Sequence, residues 1–96
     1  MELPFVDNLE KKRFEVEVAQ TTAFIEYIRT KDSFYLTHTE VPSELEGKGI
    51  GSSLVKRVLE HIEKEALLVA PLCPFVAAYI KRHPEWKRLL ARGYHV

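Results

Sequence analysis

The feature that most limits how this chain can fold is a change of hydrophobic period at its midpoint. Up to Glu40 the sequence reads in twos, and from Ile50 it reads in threes and fours. Phe14, Val16 and Val18 alternate with Glu15 and Glu17, the pattern of a half-buried strand. After a turn at Ala19-Gln20-Thr21-Thr22, the nearly all-apolar run Ala23–Ile28 predicts a second strand with both faces covered. A polar turn over Arg29–Ser33 leads to a third, Phe34–Glu40, rich in aromatic and β-branched residues. Links this short make an antiparallel meander. Pro42 to Gly47 cannot extend the third strand. Beyond it, Ile50, Leu54, Val55, Val58, Leu59 and Ile62 mark one face of a helix running to about Lys64.

The remainder follows from apolar runs and prolines. Leu67–Ala70, closed by Pro71, predicts a short buried strand. Pro74 suits the first turn of a helix and makes Cys73 its N-cap, and that helix ends before Pro84. Pro84 opens a last short helix holding Trp86, Leu89 and Leu90, with Gly93 as its C-cap. The order β-β-β-α-β-α-α defines a mixed α/β (α+β) fold. Its strand–helix–strand step implies a right-handed crossover and a parallel pair.

Length and charge narrow the class. Ninety-six residues suit a single domain over 1–96. Fourteen Lys and Arg balance fourteen Asp and Glu, which argues against a dedicated nucleic-acid binder. The balance conceals a split: residues 1–50 hold ten acids and six bases, and residues 51–96 hold four acids and eight bases. Such a split suits an anionic ligand near the second half, or solvated Lys and Arg on its helices. One cysteine gives no internal disulfide, and scattered histidines give no metal-ligand spacing. The longest apolar stretch, Ala66–Phe75, is too short to span a membrane. No secretory signal is visible at the N-terminus, so the expected setting is the cytoplasm.

The stretch with chemical meaning is Glu46-Gly47-Lys48-Gly49-Ile50-Gly51-Ser52-Ser53. Glycines permit positive φ and close approach, and a helix N-terminus presents unpaired N–H groups and positive partial charge. Together they make a seat for a phosphate or pyrophosphate; turn geometry alone is the alternative. Neither nucleotide signature fits: Lys48 is followed by Gly49 rather than a hydroxyl residue, and Ser52 and Leu54 stand where a dinucleotide loop has its third glycine.

The order of motifs resembles the Gcn5-related N-acetyltransferases, and most closely their very short YjdJ-like branch. The similarity is carried by His38-Thr39-Glu40-Val41-Pro42, the glycine loop, Leu72-Cys73-Pro74-Phe75-Val76, Tyr79, and His83-Pro84-Glu85-Trp86, spanning about Arg13 to Leu90. The resemblance implies a compact acetyltransferase fold with a splayed parallel strand pair at an acetyl-CoA site. The activity would be transfer of acetyl to an amine, on a small molecule or a protein lysine, without a metal. Val41 would pair its backbone with the pantetheine arm, and Gly47, Lys48, Gly49, Ile50, Gly51, Ser52 and Ser53 would hold the pyrophosphate. Cys73, at a helix mouth that favours thiolate, becomes a candidate nucleophile or a small packing residue. Tyr79 matches the tyrosine that protonates departing CoA, or is a core aromatic pairing with Phe75. His38 and Glu40, two apart on one strand face, are candidates to accept the amine's proton. Two departures stand out. Glu46 replaces the usual Arg or Gln of the loop, and the helical segment that helps build the acceptor pocket is missing. The alternative reading is a CoA- or acyl-CoA-binding module or regulatory interaction domain without turnover. Oligomeric state, monomer or dimer, is not legible.

Overall fold

A computed structural model describes residues 4–96. Five strands form one sheet in sequence order: β1 (Phe5–Asn8), β2 (Arg13–Val18), β3 (Thr21–Arg29), β4 (Ser33–Glu40) and β5 (Leu68–Pro71). The first four are antiparallel neighbours, and β5 pairs parallel to β4. Between β4 and β5 lie a 3₁₀ turn, Ser43–Leu45, and helix α1, Ile50–Lys64. After β5 come helix α2, Pro74–Arg82, and a 3₁₀ segment, Pro84–Leu89. The meander, the α1 crossover and the parallel pair all match the period change in the sequence.

Alternation decides which face is covered. Phe14 and Val16 on β2, Ala23, Ile25 and Tyr27 on β3, and Phe34 and Leu36 on β4 are buried in one cluster. They meet the apolar stripe of α1 (Leu54, Val55, Val58, Leu59, Ile62) and Val76, Tyr79 and Ile80 of α2. The intervening Glu17, Glu26 and Ile28 point to the other face and are exposed. β3 therefore has one covered face, not the two that its apolar run suggests; Glu26 and Ile28 show where the uncovered face begins.

Three elements differ from expectation. β1 has no alternation of its own and exists by pairing Phe5 to Asn8 with Val16 to Arg13. The β2–β3 turn is only two residues, Ala19 and Gln20, both at positive φ (51° and 68°), as a tight hairpin requires. The last segment is 3₁₀ and stops at Leu90, not Gly93. Leu90 bridges Val69, and the Ala91 N–H donates to the Val69 carbonyl at 2.8 Å, so the chain straightens to cover the outer edge of β5. Gly93, at φ 89°, lies in a later turn.

The end of α1 is where the periodicity places it. The Leu67 N–H donates to the Ile62 carbonyl (3.1 Å) and the Ala66 N–H to the Glu63 carbonyl (3.0 Å). That is the double bond of a Schellman stop, with Ala66 at φ 59° in the place usually given to glycine. No helix is long and apolar enough to cross a membrane among the described residues.

Candidate active site at the open end of β4

Strand β4 changes phase midway. Leu36 pairs with Tyr27 and His38 with Glu26, so Thr37 is an extra residue, a β-bulge. Its hydroxyl donates to the Glu26 carbonyl at 3.2 Å. The bulge resets the alternation. Leu36 faces the helices, and so does Thr39, the partner of buried Ile25. His38 and Glu40, opposite Glu26 and Phe24, face the uncovered side.

The parallel pairing of β4 with β5 ends at Leu36 and Pro71. The chain then turns, with the Cys73 N–H donating to the Leu36 carbonyl at 2.9 Å, and α2 begins. Thr37 to Glu40 continue past the end of β5, so the two strands part there as a wedge. Cys73 is the N-cap of α2, as Pro74 predicts, yet its side chain does not cap the helix. Its thiol donates to the Thr39 hydroxyl at 3.1 Å, across the base of the wedge, and only 5% of the residue is exposed.

Beyond the wedge, the connection to α1 is tightly shaped. Leu45 is buried and anchors the 3₁₀ turn. Gly47 and Gly49 adopt φ 79° and 74°, a region other residues enter at a cost of about 1–2 kcal/mol. Gly49 is the N-cap of α1, and its carbonyl accepts the first helical bond, from Ser53 at 3.0 Å. The N–H groups of Ile50, Gly51 and Ser52 precede that bond and lack intrahelical partners. No side chain caps them, and the first turn carries no acidic residue.

These N–H groups open on a cavity of about 540 Å³. Its walls are Thr39, Glu40 and Val41 at the end of β4, the stretch from Leu45 to Ser52 without Lys48, and Phe75 from α2. Its lining includes the first residues of α1, whose N–H groups suit an anion, and Thr39 beside Cys73. Glu40 and Glu46 both line it, and its lining holds no Lys or Arg. Any pull on a phosphate must come mainly from backbone dipoles. Lys48 is exposed on the rim of the loop, outside the lining, and Ser53 is committed to the helix.

The other expected residues are placed as follows. His38 Nε2 and Glu40 Oε1 are 3.1 Å apart, and both side chains are about half exposed. The His38 ring lies 6.4 Å from that of Phe24 on the uncovered face. Of the pair, Glu40 reaches the cavity. Tyr79 is buried and outside the lining, with its ring 4.3 Å from that of His83. Burial, and then the charges of Glu85 and Glu60, hold its hydroxyl above its ordinary range, so it stays protonated at neutral pH. Sequence reasoning gives no site role to the wall residues Thr39, Leu45 and Phe75. Thr39 reaches the site only because of the bulge, and Phe75 does so because Gly51 leaves room for it. No cluster of three or more metal-ligating side chains occurs among the described residues.

Comparison with known proteins shows the family and the fold. A profile of the GCN5-related N-acetyl-transferase family matches residues 13–89. A GCN5-like protein from Staphylococcus aureus, solved by NMR and classed as a candidate N-acetyltransferase, superposes with a TM-score of 0.68. It is 25% identical, and the match covers 97% of this chain and 95% of that one. Protein NATD1 of Xenopus tropicalis is 34% identical over 59 residues, 62% of this chain and 53% of that protein. Human NATD1 is 37% identical over 49 residues, 51% of this chain and 43% of that protein. The match thus spans about half the length of these curated relatives. The chain belongs to the GCN5-related N-acetyl-transferase family. Its fold is the mixed sheet-and-helix globule of that family.

Proposed function

We propose that the protein is an N-acetyltransferase that moves acetyl from acetyl-CoA to an amine, on a small molecule or a protein lysine. The observation that carries the reading is the cavity joining the unpaired N–H groups of α1 to the wedge between β4 and β5. An extended ligand with a diphosphate at one end and a reactive group at the other fits that shape. Bound acetyl-CoA would supply an acyl group activated as a thioester.

In this reading Ile50, Gly51 and Ser52 donate backbone N–H groups to the pyrophosphate, while Gly47 and Gly49 hold the loop clear of it. Lys48 adds charge from the rim. Val41 offers backbone to the pantetheine arm beyond the end of β5. Glu40, hydrogen-bonded to His38, takes the proton of the incoming amine directly or through water. Tyr79, kept protonated, is the candidate to return a proton to the leaving thiolate through an intervening group, because it lies outside the cavity lining. The first strands are joined by short turns, so the acceptor side is open and suits an amine on a large partner as well as a small one.

Two chemical routes fit the wedge. The amine attacks the thioester directly, or the Cys73 thiolate first takes the acetyl group and releases CoA as its thiolate, and the amine then attacks the new thioester and frees Cys73. The inward thiol, buried and held on Thr39, favours direct attack. The test is calorimetry with acetyl-CoA, followed by turnover of an amine panel by wild type and Cys73→Ala. Micromolar acetyl-CoA binding with amine-dependent CoA release supports the proposal. Binding without turnover would make the chain a CoA-binding module, and no binding would refute the reading. For Cys73→Ala, unchanged acetyl-CoA affinity and turnover within about tenfold of wild type fit direct attack. Abolished turnover, with an acetyl adduct on wild-type Cys73 by mass spectrometry, would establish the covalent route.

A further inference from the structure

The three loop glycines serve two purposes. Gly47 and Gly49 have positive φ, and a Cβ on either would meet nothing within 4 Å. Gly51 is different. Its backbone is helical, where alanine would be favoured by about 1 kcal/mol. A Cβ there would lie 2.7 Å from Phe75 Cζ, 3.2 Å from Phe75 Cε2 and 3.3 Å from Val41 Cγ2. Gly51 is a seat for the edge of an aromatic ring. Yet that ring is not put away in the core, since Phe75 stays 39% exposed with one side on the cavity. An arrangement that costs helix stability and leaves the ring half in water shapes a wall, not a core.

The wall's place says what it meets. The cavity is lined both by the first residues of α1 and by Thr39, which is bound to Cys73. Val41 and Phe75 touch the same point above Gly51 and form an apolar strip beside the N–H groups. The part of CoA that follows the diphosphate is the pantetheine arm, whose gem-dimethyl group and methylenes need such a strip, while its amides can use the end of β4. We infer that Phe75, seated on Gly51, packs against the pantetheine arm and makes the site select acyl-CoA over nucleotide diphosphates that lack the arm. This inference rests on the acyl-CoA reading of the cavity and deepens it.

The test is a four-protein cycle of wild type, Phe75→Ala, Gly51→Ala and the double variant. Each is titrated with CoA and with adenosine 3′,5′-diphosphate carrying a second 5′-phosphate, that is, CoA without its arm, and each is melted. Removing the ring should weaken CoA roughly tenfold, because the apolar face of the arm then stays in water, and leave the arm-less nucleotide unchanged. Gly51→Ala pushes the ring off its seat, so CoA should weaken by a similar factor although the melting temperature holds or rises. With the ring already gone, adding Gly51→Ala should change CoA binding less than twofold. Equal loss of both ligands in Phe75→Ala, no loss of either, or a Gly51→Ala penalty that persists without the ring each overturns the inference. If wild type binds neither ligand, the acyl-CoA reading itself falls and takes the inference with it. Wild-type binding with an indifferent Phe75→Ala removes the inference alone. Should Phe75→Ala not fold, Phe75→Leu and Gly51→Ala carry the same comparison.

Discussion

Ser52→Glu separates the stability of α1 from its binding role. Ser52 is exposed, lines the cavity and is the third residue of a helix whose first turn has neither an acidic residue nor a side-chain cap. A glutamate there meets the positive end of the helix and can reach back toward the Gly49 N–H, a gain of about 0.5 kcal/mol. For a domain of this size that raises the melting temperature by about 2–4 °C. The same carboxylate stands where the pyrophosphate is proposed to bind. At about 4 Å, two unit charges repel by about 1 kcal/mol in water and about 4 kcal/mol near a protein surface, so about 2 kcal/mol is a fair middle value. Acetyl-CoA should bind roughly 30-fold more weakly. The deficit should shrink as salt rises toward ~1 M, because an exposed repulsion is screened. Ser52→Gln has similar bulk and no charge, and should lose much less. Calorimetry at two salt concentrations and a thermal melt decide the matter. A stabilised Ser52→Glu protein that binds acetyl-CoA like wild type would remove the pyrophosphate from the α1 N-terminus. A destabilised one would refute the account of the helix start.

Two further predictions concern stability. Ala66 closes α1 at φ 59° in an exposed position, so Ala66→Gly relieves about 1–2 kcal/mol of backbone strain against about 0.5–1 kcal/mol of added chain entropy; urea unfolding should show a net gain of about 0.5–1 kcal/mol, and a loss would refute the Schellman description. Tyr27 is buried and donates to Asp7 Oδ1 at 2.6 Å, and burial first, then Asp7, raise its hydroxyl above the ordinary value near ~10. The folded state therefore holds this proton more tightly than the unfolded chain, and the associated stability is complete below pH ~10 and lost as pH climbs beyond it. Urea unfolding across alkaline pH should show a decline that is shallower in Tyr27→Phe, whereas an equally steep decline in the variant would exclude Tyr27 as a source.

What could be read from the sequence was whatever depends on local periodicity. β2, β4, α1, β5 and the start of α2 lie close to where Phe14/Val16, Phe34/Leu36, Ile50–Ile62, Leu67–Ala70 and Cys73-Pro74 place them. Distant partners decided the rest. β1 is four residues whose structure is lent by β2, and the straightening at Leu90 is set by hydrogen bonds to Val69. The site divides in the same way. The glycine loop ahead of α1 is legible because turn chemistry and helix capping are local. The bulge at Thr37 leaves no mark in the sequence, so Thr39 escapes notice even though it, not His38 or Glu40, faces Cys73. Gly51 looks like its two neighbours in a string of letters, and only packing shows that it answers to Phe75.

The bulge has a consequence for how the protein can vary. A strand in unbroken alternation ties every position to the same two faces, so any one-residue slip exchanges them all. Thr37 instead works as a joint between two independently tuned lengths of β4. On one side Ser33, Phe34 and Leu36 answer to the interior, where a substitution shows as lost stability. On the other, His38, Thr39, Glu40 and Val41 stand beyond the end of β5; His38 and Glu40 are about half exposed, so a change at either leaves the interior as it is, whereas Thr39 bonds Cys73 and Val41 packs on the core. Under the proposed function, the acceptor would be respecified from the outward positions of that far half, with the near half left as ballast.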